Sequence, residues 1–377
     1  MRWFRAGLDR LGLPILDRYL LSELGSTFGF GLSAFTLILA ANSILNVGRL
    51  VSQEGAPLWA AVLVFVWTLP GEVVLVIPMA LLLGTLLAMQ RLSGESEITA
   101  MKASGITFWR IVAPFLAAGL VMSAVTYVLQ EHVVPFAQDQ VSSIEEQVIS
   151  HTSVFNRDLT VSASLPGGGH QVTIATSYEP HSRALLNVTL VQYDANSKPL
   201  QVVFADRADF SADKWILENA SIYRFNADGT TISEPGVARQ QVELGENPTD
   251  IVKRIQHDDP ETMSRAQIAE IIKTGQLTRN EFQKYVATYQ EKLAQPFACF
   301  VFVLIALPFA MRPTRGGGSV SLGFGLAVAI IFVYYIVMTI FSYVGDALSG
   351  SAWLWAWMPN LIFTVIGFAR LKKIAAV

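Results

Sequence analysis

Few residues in this chain could do chemistry, and their spacing narrows what that chemistry could be. The five histidines, His132, His151, His170, His181 and His257, are scattered through the middle of the sequence with no H-E-x-x-H and no CxxC companion, so no zinc-type ligand set is predicted. No G-x-x-x-x-G-K-[ST] occurs, so the chain is not expected to hold ATP itself. Arg315-Gly316-Gly317-Gly318-Ser319 is glycine-rich but lacks the lysine and a preceding strand, and reads as a flexible turn. The one cysteine, Cys299, lies in an apolar run and cannot form an internal disulfide. An intramembrane protease would want a Ser, His or Asp set within apolar spans, and no histidine lies there.

What remains is acid in apolar surroundings and one short charged segment. Glu72, beside Pro70, and Asp346, after Gly345, lie near membrane depth. A carboxylate there is costly unless it meets water or a partner, so both are candidate intramembrane acids or, in the plainer reading, solvated interfacial groups. From Arg91 to Ile106 the sequence reads as a short helix, with Ser93 as cap, Glu95, Ser96 and Glu97 in the first turn and Gly105 as its stop. Two readings stay open for its acids. They complement the helix dipole, or they are shown to the cytosol, with Ile98 and Met101 on another face, so that the helix plugs into a cytosolic partner.

The elements around these residues follow from composition. The chain has 377 residues, 52% hydrophobic and only 15% charged, against roughly 25% charged for a soluble domain. Leu24 to Gly48, Ile111 to Gln130, Leu293 to Met311, Gly316 to Gly345 and Ala347 to Ala369 contain no Asp, Glu, Lys or Arg, and each satisfies the ~20 apolar residues that a bilayer core requires. Gly55 to Gln90 carries only Glu72. It is read as one span, with an interfacial lead-in from Pro57 to Leu69 that turns at Pro70 and Pro78. Six spans then place Arg2, Arg5, Arg10, Arg18, Arg91, Lys102, Arg110, Arg312, Arg315, Arg370, Lys372 and Lys373 on one side, which the positive-inside rule makes cytoplasmic, with both termini there. The opposite short loops offer only Arg49. The first apolar run is too long and too poorly flanked for a cleaved signal peptide, and is expected to be retained.

The net charge of −3 divides unevenly: Phe136 to Lys284 carries −7 and the remainder +4. An acidic centre disfavours nucleic acid as a partner. Within it Val172 and Ile174, then Leu186, Val188 and Leu190, then Val202 and Phe204 recur at period two, separated by Pro166-Gly167-Gly168-Gly169, Ala195-Asn196-Ser197 and Ala227-Asp228-Gly229. Short strands with polar turns predict a β sandwich or jelly roll. After Pro260 the pattern becomes helical, through Ile268, Ile271 and Ile272 to Phe282, Tyr285 and Val286. The expected organisation is an N-terminal transmembrane half over 1–135 with a cytoplasmic helix at 91–105, a β domain over 136–258, a helical connector over 259–291 and a C-terminal transmembrane half over 292–377.

Several pieces in this order resemble the lipopolysaccharide export permeases of the LptF/LptG type. They are Asp17-Arg18-Tyr19-Leu20 at the entry to the first span, Leu69-Pro70, Ile77-Pro78 with Leu82, Leu83 and Gly84, then Arg91-Leu92 through Glu97 to Gly105-Ile106. Ala205, Ala208, Trp215-Ile216-Leu217, Lys292-Leu293-Ala294-Gln295-Pro296, Leu307-Pro308 and Trp357-Met358-Pro359-Asn360 complete the series. The resemblance implies an α-helical membrane protein with six transmembrane helices and a periplasmic β-jellyroll domain between helices 3 and 4. Such a protein is the permease half of an inner-membrane ABC transporter, paired with a second half, alike or paralogous. Beneath the pair lies a cytosolic ABC ATPase dimer that holds the ATP and Mg, no cofactor being bound by this chain, and the substrate is lipopolysaccharide or a related glycolipid passed to β-jellyroll partner proteins. The family's coupling helix falls on Arg91 to Gly105 and its characteristic acid on Glu97, with Glu95 and Arg91 as neighbours, which tilts the short helix toward partner contact. A lateral gate between the first span of one half and the fifth of the other would use Gly25, Gly29 and Gly31 with Gly323 and Gly325, if these are more than ordinary membrane-helix glycines. Relatives often carry a basic residue in the outer half of the first span; here there is none before Arg49, which becomes the candidate head-group contact. The competing expectation is a membrane-anchored envelope assembly or sensor protein with a ligand-binding β domain. A channel is disfavoured by spans with almost no ionisable lining.

Overall fold

The computed structural model describes residues 14–54, 56–150, 155–164, 169–179, 182, 184–194, 198–211, 214–225, 231–242, 260–274, 279–311, 320–347 and 352–375. The chain divides into two compact units: a helical one of Met1–Leu45, Trp67–Gln138 and Pro260–Val377, and a second of Asn46–Val66 and Asp139–Asp259.

The helices are α1 (Ile15–Glu54), α2 (Leu58–Gly94), α3 (Glu97–Ala103), α4 (Phe108–Val128), α5 (Val134–Ser150), α6 (Arg265–Thr274), α7 (Arg279–Ala310), α8 (Val320–Ala347) and α9 (Ala352–Ala375). Among the described residues six helical stretches are long and apolar enough to cross a membrane, in α1, α2, α4 with its continuation, α7, α8 and α9. A chain in hydrocarbon must satisfy its backbone internally, which a helix does wherever the side chains tolerate lipid. The same constraint explains a departure from expectation: α2 runs unbroken from Leu58 with Pro70 and Pro78 inside it, so no separate lead-in ends at Leu69. Pro114 in α4, Pro296 and Pro308 in α7 and Pro359 in α9 are likewise carried inside helices.

In the helical unit the core is built on α2, α4 and α7, where Leu81, Leu82, Leu83, Leu86, Ile111, Phe115 and Phe302 are fully buried. The apolar stretches of α2 and α7 are 72% buried, against 22% for α1 and 17% for α8. Open apolar faces remain on α1 (Phe30, Leu37, Ile38) and α8 (Phe332, Val333, Ile340), and also on α9 (Leu361, Val365) and α4 (Leu120, Val121), whose apolar stretches are 28% and 33% buried. α1 and α8 touch within this chain, Phe35 stacking on Phe324 at 6.2 Å between ring centroids. α1 meets α2 most closely at Gly84. A Cβ there would lie 2.9 Å from the Phe28 backbone nitrogen, and Thr27 Oγ1 donates to the Gly84 carbonyl at 2.8 Å.

α4 continues through one π turn, Leu129–Val133, into α5. The extra residue of a π turn re-aims side chains. Gln130 donates to Gln295 of α7 at 2.8 Å, and the Glu131 carboxylate accepts from the Arg265 and Ala266 amides at the start of α6, at 3.0 and 3.4 Å.

The second unit holds β1 (Phe155–Ser164), β2 (His170–Glu179), β3 (Ala184–Tyr193), β4 (Pro199–Ser211), β5 (Lys214–Phe225) and β6 (Thr231–Val242) in one antiparallel sheet, in sequential order. The β domain expected between the third and fourth spans is present. Its described pairings form a meander, without the crossovers of a sandwich, and the turns at 166–168, 195–197 and 227–229 fall outside the described residues. The sheet carries a crease. Asn187 and Asn219 adopt left-handed backbone (φ 51° and 57°), a conformation Asn tolerates better than most residues. The ladders step over Asn187 against Thr176, Asn187 against Asp206 and Asn219 against Asp206. Asn219 Nδ2 donates to Asp206 Oδ2 at 2.5 Å across this line. Burial changes parity there: Leu185 gives way to Val188 and Leu190, Ala208 to Ala205 and Val203, Leu217 to Ala220 and Ile222, and both sides belong to one apolar cluster around Trp215. The period-two residues Ile174 and Phe204 lie on the opposite face, 41% and 48% exposed, while Gln171, Thr173 and Ser177 turn inward.

Candidate functional site

The segment between α2 and α4 is where the sequence places its chemistry, and it is built from two turns. α2 keeps Ser93 in its last turn and ends at Gly94. The cap of α3 is Ser96, not the expected Ser93; Ser96 turns the chain with φ 60° and makes no side-chain capping bond. Only Glu97 of the three expected first-turn residues therefore lies inside the helix. The stop is as expected: Gly105 sits at φ 88°, and the Ile106 amide reaches back to the Met101 carbonyl at 3.0 Å, a Schellman-type end that a residue with a Cβ would strain.

A seven-residue helix does not persist on its own propensity, and packing holds this one. Ile98 is 7% exposed within the core of the helical unit, with Met101 and Ile106 against it. The Lys102 ammonium lies 5.5 Å from the centroid of the Phe108 ring. The opposite face, Thr99, Ala100 and Ala103, is exposed, as is Glu95 in the turn before the helix.

The charged residues pair mostly with the start of α1. Arg91 donates from Nε to Glu95 at 3.0 Å and from Nη1 to Glu23 at 2.5 Å. Tyr19 Oη donates to Glu97 Oε2 at 2.6 Å. Arg110 clasps Asp17 with two bonds, 2.6 and 2.9 Å, the bidentate geometry that a guanidinium fork offers a carboxylate. The hydrogen bond from Arg91 holds the Glu95 carboxyl below the usual glutamate range. Of the expected coupling residues, Glu95 faces outward while Arg91 and Glu97 are engaged inside the chain by α1. Sequence reasoning passed over the α1 side of these pairs, Asp17, Tyr19 and Glu23, and Arg110 with it. The signal was Glu23, an acid at the edge of a charge-free run that needs a partner.

The remaining candidates separate. Glu72 accepts from Ser43 Oγ of α1 at 2.8 Å, so this acid ties the first two spans together within the chain. Asp346 is in the last turn of α8 and Arg49 near the end of α1, and both side chains fall outside the described residues. Gly31 approaches Ala80 of α2, 3.2 Å from an added Cβ, and Gly323 faces Leu87 and Gln90 of the same helix, whereas Gly29 and Gly325 open onto empty space. Gly25 is half-buried on α1.

Residues 18–373 match the profile of the family described as lipopolysaccharide export system permease LptF/LptG. The chain belongs to this family. It is similar to the lipopolysaccharide export system permease protein LptG of Haemophilus influenzae, 22% identical over 364 residues, covering 95% of this chain and 98% of that protein. It is also similar to LptG of Escherichia coli K12, 22% identical over 368 residues with the same coverage. Membership makes it a member of a transporter-permease family, and the match takes in both the spans and the β unit that interrupts them.

Proposed function

We propose that this chain is one permease half of an ATP-driven exporter in the bacterial inner membrane, which extracts lipopolysaccharide or a related glycolipid from the outer leaflet and hands it to a β-jellyroll bridge. Both termini and α3 lie in the cytoplasm in this reading, and the β unit lies in the periplasm. ATP and Mg are bound by a separate cytosolic ATPase dimer, and a second permease half, a copy or a paralogue, completes the cavity. The observation that carries the reading is α3 in a chain of this family: a short helix seated on the core by Ile98 and Met101, with Glu95, Thr99 and Ala100 turned out for a partner's groove. ATPase closure would push that face, and the rigid core behind it would carry the displacement into the spans, a domain motion with no covalent step in this chain.

The open faces of α1 and α8 suit a gate shared with the second half. Gly29 and Gly325, with nothing against them, are the glycines free to serve it, since Gly31 and Gly323 are spent on α2. Arg49 remains the basic residue proposed to meet lipid head groups. The test is purification of the tagged chain from native membranes in mild detergent, with mass spectrometry of what accompanies it. A cytosolic ABC ATPase together with a glycolipid is the expected result; the chain alone under several mild detergents overturns the reading.

A further inference from the structure

Three contacts converge on one short stretch of α1. Asp17, Tyr19 and Glu23 occupy its first turns, and their partners are Arg110 in the first turn of α4, Glu97 in the first turn of α3 and Arg91 in the last turn of α2. Every segment that enters or leaves the α3 turn is thus fastened to the same helix. The carboxylates of the two ion pairs are the inner members, Asp17 at 15% and Glu23 at 7% side-chain exposure, against 42% for Arg110 and 49% for Arg91. An acid so placed has little water to fall back on, so separating it from its cation is costly. Tyr19 differs: its neutral hydroxyl makes a charge-assisted bond directly to α3 itself.

We propose that the first three turns of α1 receive the stroke of α3, and that the Tyr19 hydroxyl is the positioning group that makes the first span follow the coupling helix. The proposal rests on the transporter reading above and adds to it which span moves and through which atoms. A shift of α3 reaches α1 directly through the Tyr19–Glu97 bond, and the two ion pairs hold the helices before and after α3 to the same stretch of α1. The span moved is among those that the chain leaves open to a second half or to lipid, its apolar stretch being 22% buried.

The test uses the purified complex, this chain with its ATPase and second half, in proteoliposomes containing lipopolysaccharide, and reads lipid released per ATP hydrolysed. Tyr19→Phe removes one oxygen and leaves Glu97, which is half-exposed, open to water. The variant complex is expected to retain the ATPase subunit while the lipid-to-ATP ratio falls about tenfold, the size expected for one lost hydrogen bond to a charged group. Adding Glu97→Gln to Tyr19→Phe lowers the ratio no further, because both remove one link. Asp17→Arg and Arg110→Asp each lower the ratio, and the double exchange restores it. An unchanged ratio in Tyr19→Phe, including the case in which lipid release and hydrolysis fall by the same factor, overturns the proposal, as do losses that multiply in the Tyr19→Phe, Glu97→Gln pair. A parent complex that recruits no ATPase overturns the transporter reading instead, and the proposal with it.

Discussion

Replacing Gly84 by Ala puts a methyl where α1 and α2 touch. The new Cβ would lie 2.9 Å from Phe28 N, 3.0 Å from Phe28 Cα and 3.3 Å from Phe28 Cβ. The two nearest atoms are backbone and cannot rotate away, so the helices must separate by roughly 0.5 Å to reach ordinary contact, which also lengthens the Thr27–Gly84 hydrogen bond. Overpacking of this kind costs ~1–3 kcal/mol, and the gain in helix propensity over Gly returns up to ~1 kcal/mol, leaving a net loss of about 1 kcal/mol. The same substitution at Gly29, where nothing lies within 4 Å of the added atom, keeps only the propensity gain. The single cysteine supplies the assay: Cys299 is buried, 3.5 Å from Thr126 Oγ1, so a thiol-reactive fluorogenic dye reports opening of the helical core during a thermal ramp in detergent. Gly84→Ala is expected to melt a few degrees below the parent and Gly29→Ala at or above it. A Gly84→Ala midpoint equal to the parent's, or losses of the same size at both positions, refutes the close-approach reasoning.

Asn360 is 2% exposed, donates to the Ala294 carbonyl at 2.7 Å and accepts from Tyr334 Oη at 2.8 Å. Asn360→Ala strands a buried hydroxyl and should lower stability by ~2–3 kcal/mol in the same dye assay, while Tyr334→Phe with it should recover part of that loss. In the β unit, Asn187→Val forces a branched side chain into φ 51° and should cost ~1–3 kcal/mol, whereas Asn187→Gly should be nearly neutral; denaturant unfolding followed by the fluorine NMR signal of a fluorotryptophan assigned to Trp215 distinguishes them. Glu95, whose carboxyl is held low by Arg91, contributes its pairing fully above its unfolded pKa and loses it as pH falls through the depressed folded value. Its ¹³C-carboxyl titration should lie below that of an exposed glutamate and return to the ordinary range in Arg91→Gln.

The spans were legible because charge-free runs in a bilayer leave one structural solution, yet their ends were not. α1 begins at Ile15 and α7 at Arg279, well outside the apolar runs, because polar residues at a helix end keep the helical backbone once a turn precedes them. Pro70 looked like a break and lies inside α2, since the cost of a proline is set by what surrounds the freed carbonyl. Period two marked strands in the β unit without saying which side faces the core: at Asn187 and Asn219 a left-handed residue exchanges the faces, and Ile174 and Phe204 end up outside. The α3 segment was found from its acids and its Gly105, but the clamp that holds it joins residues 68 to 93 positions apart. Local patterning carries no trace of such pairs.

Among the described residues of the β unit, each strand pairs with its neighbours in sequence. The loop-closure cost of these six strands is therefore that of successive hairpins. At a synthesis rate of about 5–20 residues per second, the roughly ninety residues from Phe155 to Val242 take seconds to emerge, long compared with the ~1–10 μs in which a hairpin forms. The sheet can thus be complete before α7, α8 and α9 have been made, and the last three spans enter the membrane as the tail of a chain whose middle is already folded.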